Sequence, residues 1–228
     1  MAQGNEVASI FDCREHGLRR LFRNGSAALR IAAIVSMLMS PLAATARANE
    51  TVARVVFIRH GEKPPAGLGQ LDCQGLNRAL ALPAVIGRMF GKPDVIFAPD
   101  PSGKNEDNGI AYDYVRPLAT IEPTAIAFGL PVNASIKYAQ RRDLNAALAR
   151  TLARGKAKFI LVAWEHKVIP PVTRALLAAN GGNPAAVPEW RGGDFDSMYV
   201  VTVGSNGGKA DFAIEREGLD GLPTACPQ

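Results

Sequence analysis

Two histidines that end separate apolar runs are the positions of this chain best suited to chemistry. The run Val52-Ala53-Arg54-Val55-Val56-Phe57-Ile58 leads into Arg59-His60-Gly61-Glu62. A second run, residues 159–162, continues through Ala163-Trp164 into Glu165-His166-Lys167. Imidazole is the side chain best placed to attack or to move a proton near neutral pH. It becomes a directed nucleophile when its other ring nitrogen is held by a backbone carbonyl. A guanidinium beside it, here Arg59, offers charge-assisted and partly bidentate hydrogen bonds to an anion. Two histidines can also hold a metal ion, but arginines next to them repel cations. Each histidine also has a plain structural role open to it, His60 as the cap of a strand and His166 as the cap of a helix.

The elements that must position these residues follow from apolar patterning. Residues 52–58 are β-branched and apolar without helical periodicity, which predicts a buried strand. A Gly/Pro-rich loop covers residues 61–69. Residues 74–90 carry Leu76, Leu80, Leu82, Val85, Ile86 and Met89 at helical spacing and stop at Gly91. Residues 94–98 predict a second buried strand. Residues 99–115 read as a long polar loop able to serve as a lid. Helices are expected over residues 116–128, despite Pro117 and Pro123, over 143–154 and over 169–180, with a third buried strand at 159–162. Residues 197–203 and 211–214 predict a hairpin around Ser205-Asn206-Gly207-Gly208. Strands alternating with helices, and a hairpin last, predict one α/β domain. It is a three-layer α/β/α sandwich with a mainly parallel central sheet. In such sheets ligands bind beyond the carboxyl ends of the strands, which is where His60 and His166 fall.

On these residues the chain resembles the histidine phosphatase superfamily, with its phosphoglycerate-mutase-like fold. Ile58-Arg59-His60-Gly61-Glu62 is similar to the family signature, and Leu71-Asp72-Cys73-Gln74-Gly75-Leu76 to its Leu-x-x-x-Gly helix start. Asp94-Val95-Ile96-Phe97-Ala98-Pro99 resembles its second strand. Arg116-Pro117-Leu118-Ala119-Thr120 resembles its second arginine motif, and His166 its second histidine. Asp194-Phe195-Asp196-Ser197-Met198-Tyr199 is similar to the start of its late strand. The resemblance implies a metal-independent and cofactor-free phosphomonoesterase acting on a small phosphorylated substrate such as a sugar phosphate. His60 would attack phosphorus to form a phosphohistidine, while Arg59, Arg116 and His166 clamp the phosphoryl oxygens.

The family's usual proton donors are missing here. One branch places Glu after the second arginine, where residues 132–140 contain no acid. Another places Asp after the second histidine, where this chain has Lys167. Glu165 is the preferred substitute and Glu62 the second choice. A site poor in donors suits activated phosphates or slow turnover, and it also suits a phospho-ligand binding protein that retains the pocket with weak catalysis. Lys63, Lys104, Lys167 and the pair Arg141-Arg142 read as solvated charges, and Trp164 as core.

Composition bounds the remaining choices. The 228 residues are 47% hydrophobic with 26 Lys+Arg against 21 Asp+Glu, ordinary values that exclude wholesale disorder and a polytopic membrane protein. The first 48 residues hold six Arg and three acids, then an uncharged stretch over residues 31–44, then Ala46-Arg47-Ala48. Basic, apolar, small is the order of a secretory signal peptide cleaved after Ala48. A periplasmic or secreted domain over residues 49–228, with no stable membrane insertion after processing, is therefore expected. Arg19-Arg20 resembles a twin-arginine export signal without the preceding Ser or Thr. The remaining 180 residues keep 20 bases and 18 acids, so the basicity gives no argument for a nucleic-acid partner. Cys73 and Cys226 either pair in an oxidising compartment, tying the C-terminal tail to the body, or stay as separate thiols.

Overall fold

A computed structural model describes residues 52–204 and 209–228. The export signal expected in residues 1–48 and the turn expected at residues 205–208 lie outside the described residues. Strands β1 (Ala53–Arg59) and β6 (Phe159–Trp164) lie side by side in parallel, with Arg54 opposite Phe159 and Arg59 opposite Trp164. Their continuous apolar sequences are required because both faces of the sheet are covered. Val55, Phe57, Ile160 and Val162 turn to one face and pack with Leu144, Leu148, Ile169 and Val172. Val56, Ile58, Leu161 and Ala163 turn to the other and pack with Leu82, Ile86, Ile121 and Ala125.

Four helices supply those partners: α1 (Cys73–Met89) and α2 (Arg116–Phe128) on one side, α3 (Arg141–Ala153) and α4 (Ile169–Ala179) on the other. The sheet also contains β2 (Val95–Pro99), β5 (Val132–Ile136), β7 (Ser197–Val203) and β8 (Asp211–Arg216), in the order β5-β2-β6-β1-β7-β8. β5, β2, β6 and β1 run parallel, while β7 and β8 join antiparallel. This is the three-layer α/β/α architecture. The chain leaves β1 for α1 on one face and leaves β6 for α4 on the other. The ends of these neighbouring strands therefore part to form a crevice, the topological switch point of an open sheet. Among the described residues, no helix is long and apolar enough to cross a membrane.

Two local expectations need correction. The stretch read as a polar loop, residues 99–115, contains a separate hairpin of β3 (Lys104–Asp107) and β4 (Ile110–Asp113). Its turn, Asn108-Gly109, has φ of 52° and 79°, the doubly positive geometry of a tight hairpin turn that favours Asn-Gly. Helix α1 is rotated relative to its apolar spacing. Leu76 and Leu80 are 38% and 53% exposed, and the buried stripe is Arg78, Ala79, Leu82 and Ile86.

The inward position of Arg78 is balanced by acids from three parts of the chain. Its Nε and Nη2 form a bidentate pair with Glu62, and Nη1 lies 2.7 Å from Glu217 Oε2. Asp196 Oδ1 stands 3.6 Å away and Asp220 Oδ1 3.5 Å away. The C-terminal tail then runs along α1, where Asn77 Nδ2 donates to the carbonyls of Pro223 and Ala225. The Cys73 and Cys226 sulfurs are bonded, closing a 153-residue separation. A cross-link over so long a loop restricts the unfolded chain strongly. Cys226→Ser is therefore expected to lower stability by about 2–5 kcal/mol. The check is urea denaturation with and without reductant: reduced wild type should match the variant, and equal midpoints for oxidised wild type and variant would deny the bond any stabilising role.

Candidate active site

The crevice brings His60 and His166 to adjacent strand ends. His60 N donates to the Trp164 carbonyl at 3.2 Å, extending the β1–β6 ladder by one residue, and His166 follows two positions later on β6's exit. The His60 ring is buried, 3% exposed, and its Nδ1 lies 2.7 Å from the Gly61 carbonyl. A carbonyl can only accept, so the proton resides on Nδ1 and the Nε2 lone pair is available. Burial holds the His60 pKa well below its ordinary value against the opposing Gly61 hydrogen bond, and the charges of Arg59, Arg116 and His166 push the same way. His60 is therefore a neutral imidazole with Nε2 unengaged.

Close backbone packing sets that pose. A Cβ on Gly61 would stand 2.9 Å from Gly75 Cα, and one on Gly75 would collide with the Glu62 carbonyl, so the His60 loop and the first turn of α1 need glycine at both places. The α1 start is capped by Asp72, whose Oδ1 accepts from Gly75 N at 2.8 Å. Thr120 on α2 is fully buried; its Oγ1 accepts from Gly61 N at 2.9 Å and donates to the Arg116 carbonyl at 2.8 Å. One hydroxyl thus ties the histidine loop to the helix that carries Arg116, which accounts for the four-residue spacing from Arg116 to Thr120.

Both arginines are buried around His60. Arg59 Nη1 donates to the carbonyls of Gly192 and Asp194, and its guanidinium stacks 3.8 Å over the Phe195 ring. Burial pulls its pKa down to about 10, against the pull of Tyr114 and of the nearby acids Glu165, Asp194 and Glu62, so it stays cationic at neutral pH. Arg116 Nη1 pairs with Asp107 Oδ2 at 2.6 Å. Asp107 also accepts from Lys63 Nζ at 2.8 Å and Gly69 N at 3.2 Å. These bonds outweigh the burial that opposes them and hold Asp107 down to about 2. The β3–β4 hairpin is thereby anchored to the pocket through Asp107, a residue the sequence reading did not single out.

The two candidate donors have different fates. Glu165 stays beside the pair: Oε2 accepts from the backbone of Lys167 and Val168, ordering the turn into α4, and Oε1 lies 2.9 Å from His166 Nδ1, off the line of the ring N–H. Glu62 is a correction, since both its oxygens are engaged by buried Arg78 behind the histidine loop and none is left for a leaving group. Lys63 is a salt-bridge partner, and Trp164 is core, donating Nε1 to the Tyr138 carbonyl.

Three buried polar atoms in this crevice, Arg59 Nε, Arg116 Nε and the Tyr114 hydroxyl, lack an acceptor among the described residues, while His166 Nδ1 meets only the misaligned Glu165 carboxylate. Buried polar atoms are nearly always satisfied, so a cluster of unpaired ones around one imidazole marks a place for an anionic ligand with several acceptor oxygens.

No protein-family model matches the chain, and no curated protein matches its sequence. Solved structures do match. The proposed phosphohistidine phosphatase SixA of Nakamurella multipartitia superposes with a TM-score of 0.51 at 15% identity, covering 72% of this chain and 96% of that one. The chain has the histidine phosphatase fold. A protein histidine phosphatase SixA complexed with tungstate gives 0.49 at 16% identity over 72% and 97% of the two chains. A phosphoserine phosphatase mutant from Entamoeba histolytica gives 0.48 at 12% over 74% and 98%. Within the histidine phosphatase fold of this chain, His60 and His166 occupy the crevice between the carboxyl ends of β1 and β6, and Arg116 reaches it from the first turn of α2.

Proposed function

We propose that this chain is a phosphomonoesterase that works through a phosphohistidine at His60. The observation that carries this reading is the pair of buried arginines, Arg59 and Arg116, each with an unpaired Nε, around a neutral His60 whose Nε2 is free, with His166 at the neighbouring strand end. In the proposed reaction Nε2 attacks phosphorus, the P–O bond to the leaving group breaks, and that oxygen departs with a proton. Water then attacks phosphorus, releasing phosphate and restoring the imidazole. Guanidinium groups spread around the equatorial oxygens supply the charge stabilisation that dominates such transfers. With these cations in place the reaction needs no metal ion. Glu165 Oε1 is the carboxyl oxygen proposed to protonate the leaving group. The substrate class is a small phosphate ester, and the likeness to a protein named as a phosphohistidine phosphatase adds activated phosphates to it. Residues 1–48 would export the domain to the periplasm or beyond.

The engagement of Glu62 by Arg78, with half of the Glu165 carboxylate spent on the α4 turn, favours a second reading: a phospho-ligand binding protein of weak turnover. One experiment separates the two. The purified chain is incubated with an aryl phosphate, with and without chelator and vanadate, and quenched samples are assayed for acid-labile, base-stable phosphate on histidine. Chelator-resistant, vanadate-sensitive release with such an intermediate is the expected result. Tight phosphate binding without release would leave the binding protein, and release abolished by chelator would sink metal independence.

A further inference from the structure

Tyr114 lies at the foot of the β3–β4 hairpin, two residues before Arg116, and its side chain is fully buried. Its ring meets His60 edge-on with centroids 5.9 Å apart and Tyr138 at 4.9 Å, and the Arg116 guanidinium sits 4.8 Å over its face. Packing of this kind would be met as well by phenylalanine, yet the residue carries a hydroxyl. That hydroxyl finds no acceptor among the described residues, its neighbour being the Arg116 guanidinium, which can only donate, whereas buried tyrosine hydroxyls usually have one. Among the charged groups acting on it are Glu165, Arg116 and Arg59, and the two arginines also act on His60.

We infer that the Tyr114 hydroxyl is a further substrate-binding group, donating a hydrogen bond to a phosphoryl oxygen of the ester held at His60. This rests on the phosphatase reading of the site and adds one neutral donor to its cationic ones. Burial and the Glu165 charge raise the phenol above its ordinary value, so it keeps its proton across the working pH range. Tyr114 therefore binds without transferring a proton, and the hairpin, through Asp107 and Tyr114 together, becomes part of the oxyanion cradle.

The test is Tyr114→Phe in the full chain, which removes one oxygen and keeps the ring. The dissociation constant of orthovanadate, a mimic of the five-coordinate state, is expected to rise about tenfold to a hundredfold, with kcat/KM on an aryl phosphate falling by a similar factor at every pH. The melting temperature should hold or rise, because an unpaired buried hydroxyl is lost. Vanadate affinity within twofold of wild type overturns the inference, as does a lower melting temperature with unchanged affinity. If the variant does not fold, tyrosine labelled with carbon-13 at Cζ in the wild-type chain decides: the Tyr114 resonance should move on adding vanadate, and an unmoved resonance overturns the assignment. A wild type that binds vanadate but releases no phosphate removes the phosphatase reading and leaves this inference standing. A wild type that binds neither vanadate nor phosphate overturns both.

Discussion

A His60→Ala variant is expected to fold normally, bind vanadate or phosphate within a few-fold of wild type, and lose at least about 10³-fold in kcat on an aryl phosphate. That factor corresponds to about 4 kcal/mol of barrier, a modest figure for removal of an attacking group. The expectation follows from geometry: the Gly61 carbonyl fixes the proton on Nδ1, so Nε2 can attack without prior deprotonation. The proposed clamp from Arg59, Arg116 and His166 does not depend on the His60 ring, so binding should survive. A pH profile adds a second check. Because burial and nearby cations depress the His60 pKa, the neutral nucleophilic form persists well below pH 6.5, and the acid limb of kcat/KM should lie below that value. An acid limb near 6.5, or residual activity within tenfold of wild type, would remove His60 from the attacking role.

The second large effect belongs to Arg78. Replacing it with Met leaves Glu62 and Glu217 buried without their cation, and loss of one partner from a buried ion cluster costs about 3–5 kcal/mol. Arg78→Lys should recover little, because an ammonium cannot pair with Glu62 bidentately while reaching Glu217. Chemical denaturation with a far-ultraviolet signal measures both. The cluster also has a pH signature. Burial pushes Glu217 up to about 8, Arg78 opposes this, and Asp196 and Glu62 add to it, since one guanidinium faces more than one negative charge. A carboxyl whose folded value is raised contributes stability fully present below about pH 4.3, lost as pH rises through about 8. Wild type should therefore weaken between pH 5 and pH 9, and Glu217→Gln should flatten that decline. Parallel declines in the two proteins would mean that Glu217 is ionised throughout.

What could be read in the sequence divides along physical lines. β1 and β6 were legible because a strand buried on both faces needs an unbroken apolar run, here residues 55–58 and Phe159–Trp164, and the histidines were legible because they stand just beyond such runs. Thr120 was visible only as part of a motif; its dual hydrogen bond needed coordinates. The β3–β4 hairpin was missed because neither face is apolar, so only Asn108-Gly109 signalled it. Asp107 and Tyr114 gave no signal: the partners that make them part of the site come from residues 60–69 and from Arg116, brought close only by folding. Arg78 was hidden by a misleading pattern. Leu76 and Leu80 attracted attention as apolar spacing although they face outward, whereas Arg78 shares the buried stripe with Leu82. A charge on that stripe, three residues after Gly75, was the clue available.

The Arg78 cluster has a consequence for how this molecule is made. Glu217 lies 139 residues after Arg78. An α1 docked against β1 before that distant segment arrives carries a guanidinium paired with Glu62 alone, so full neutralisation of the cluster waits on a contact between parts of the chain far apart in sequence, the kind of closure that forms slowly.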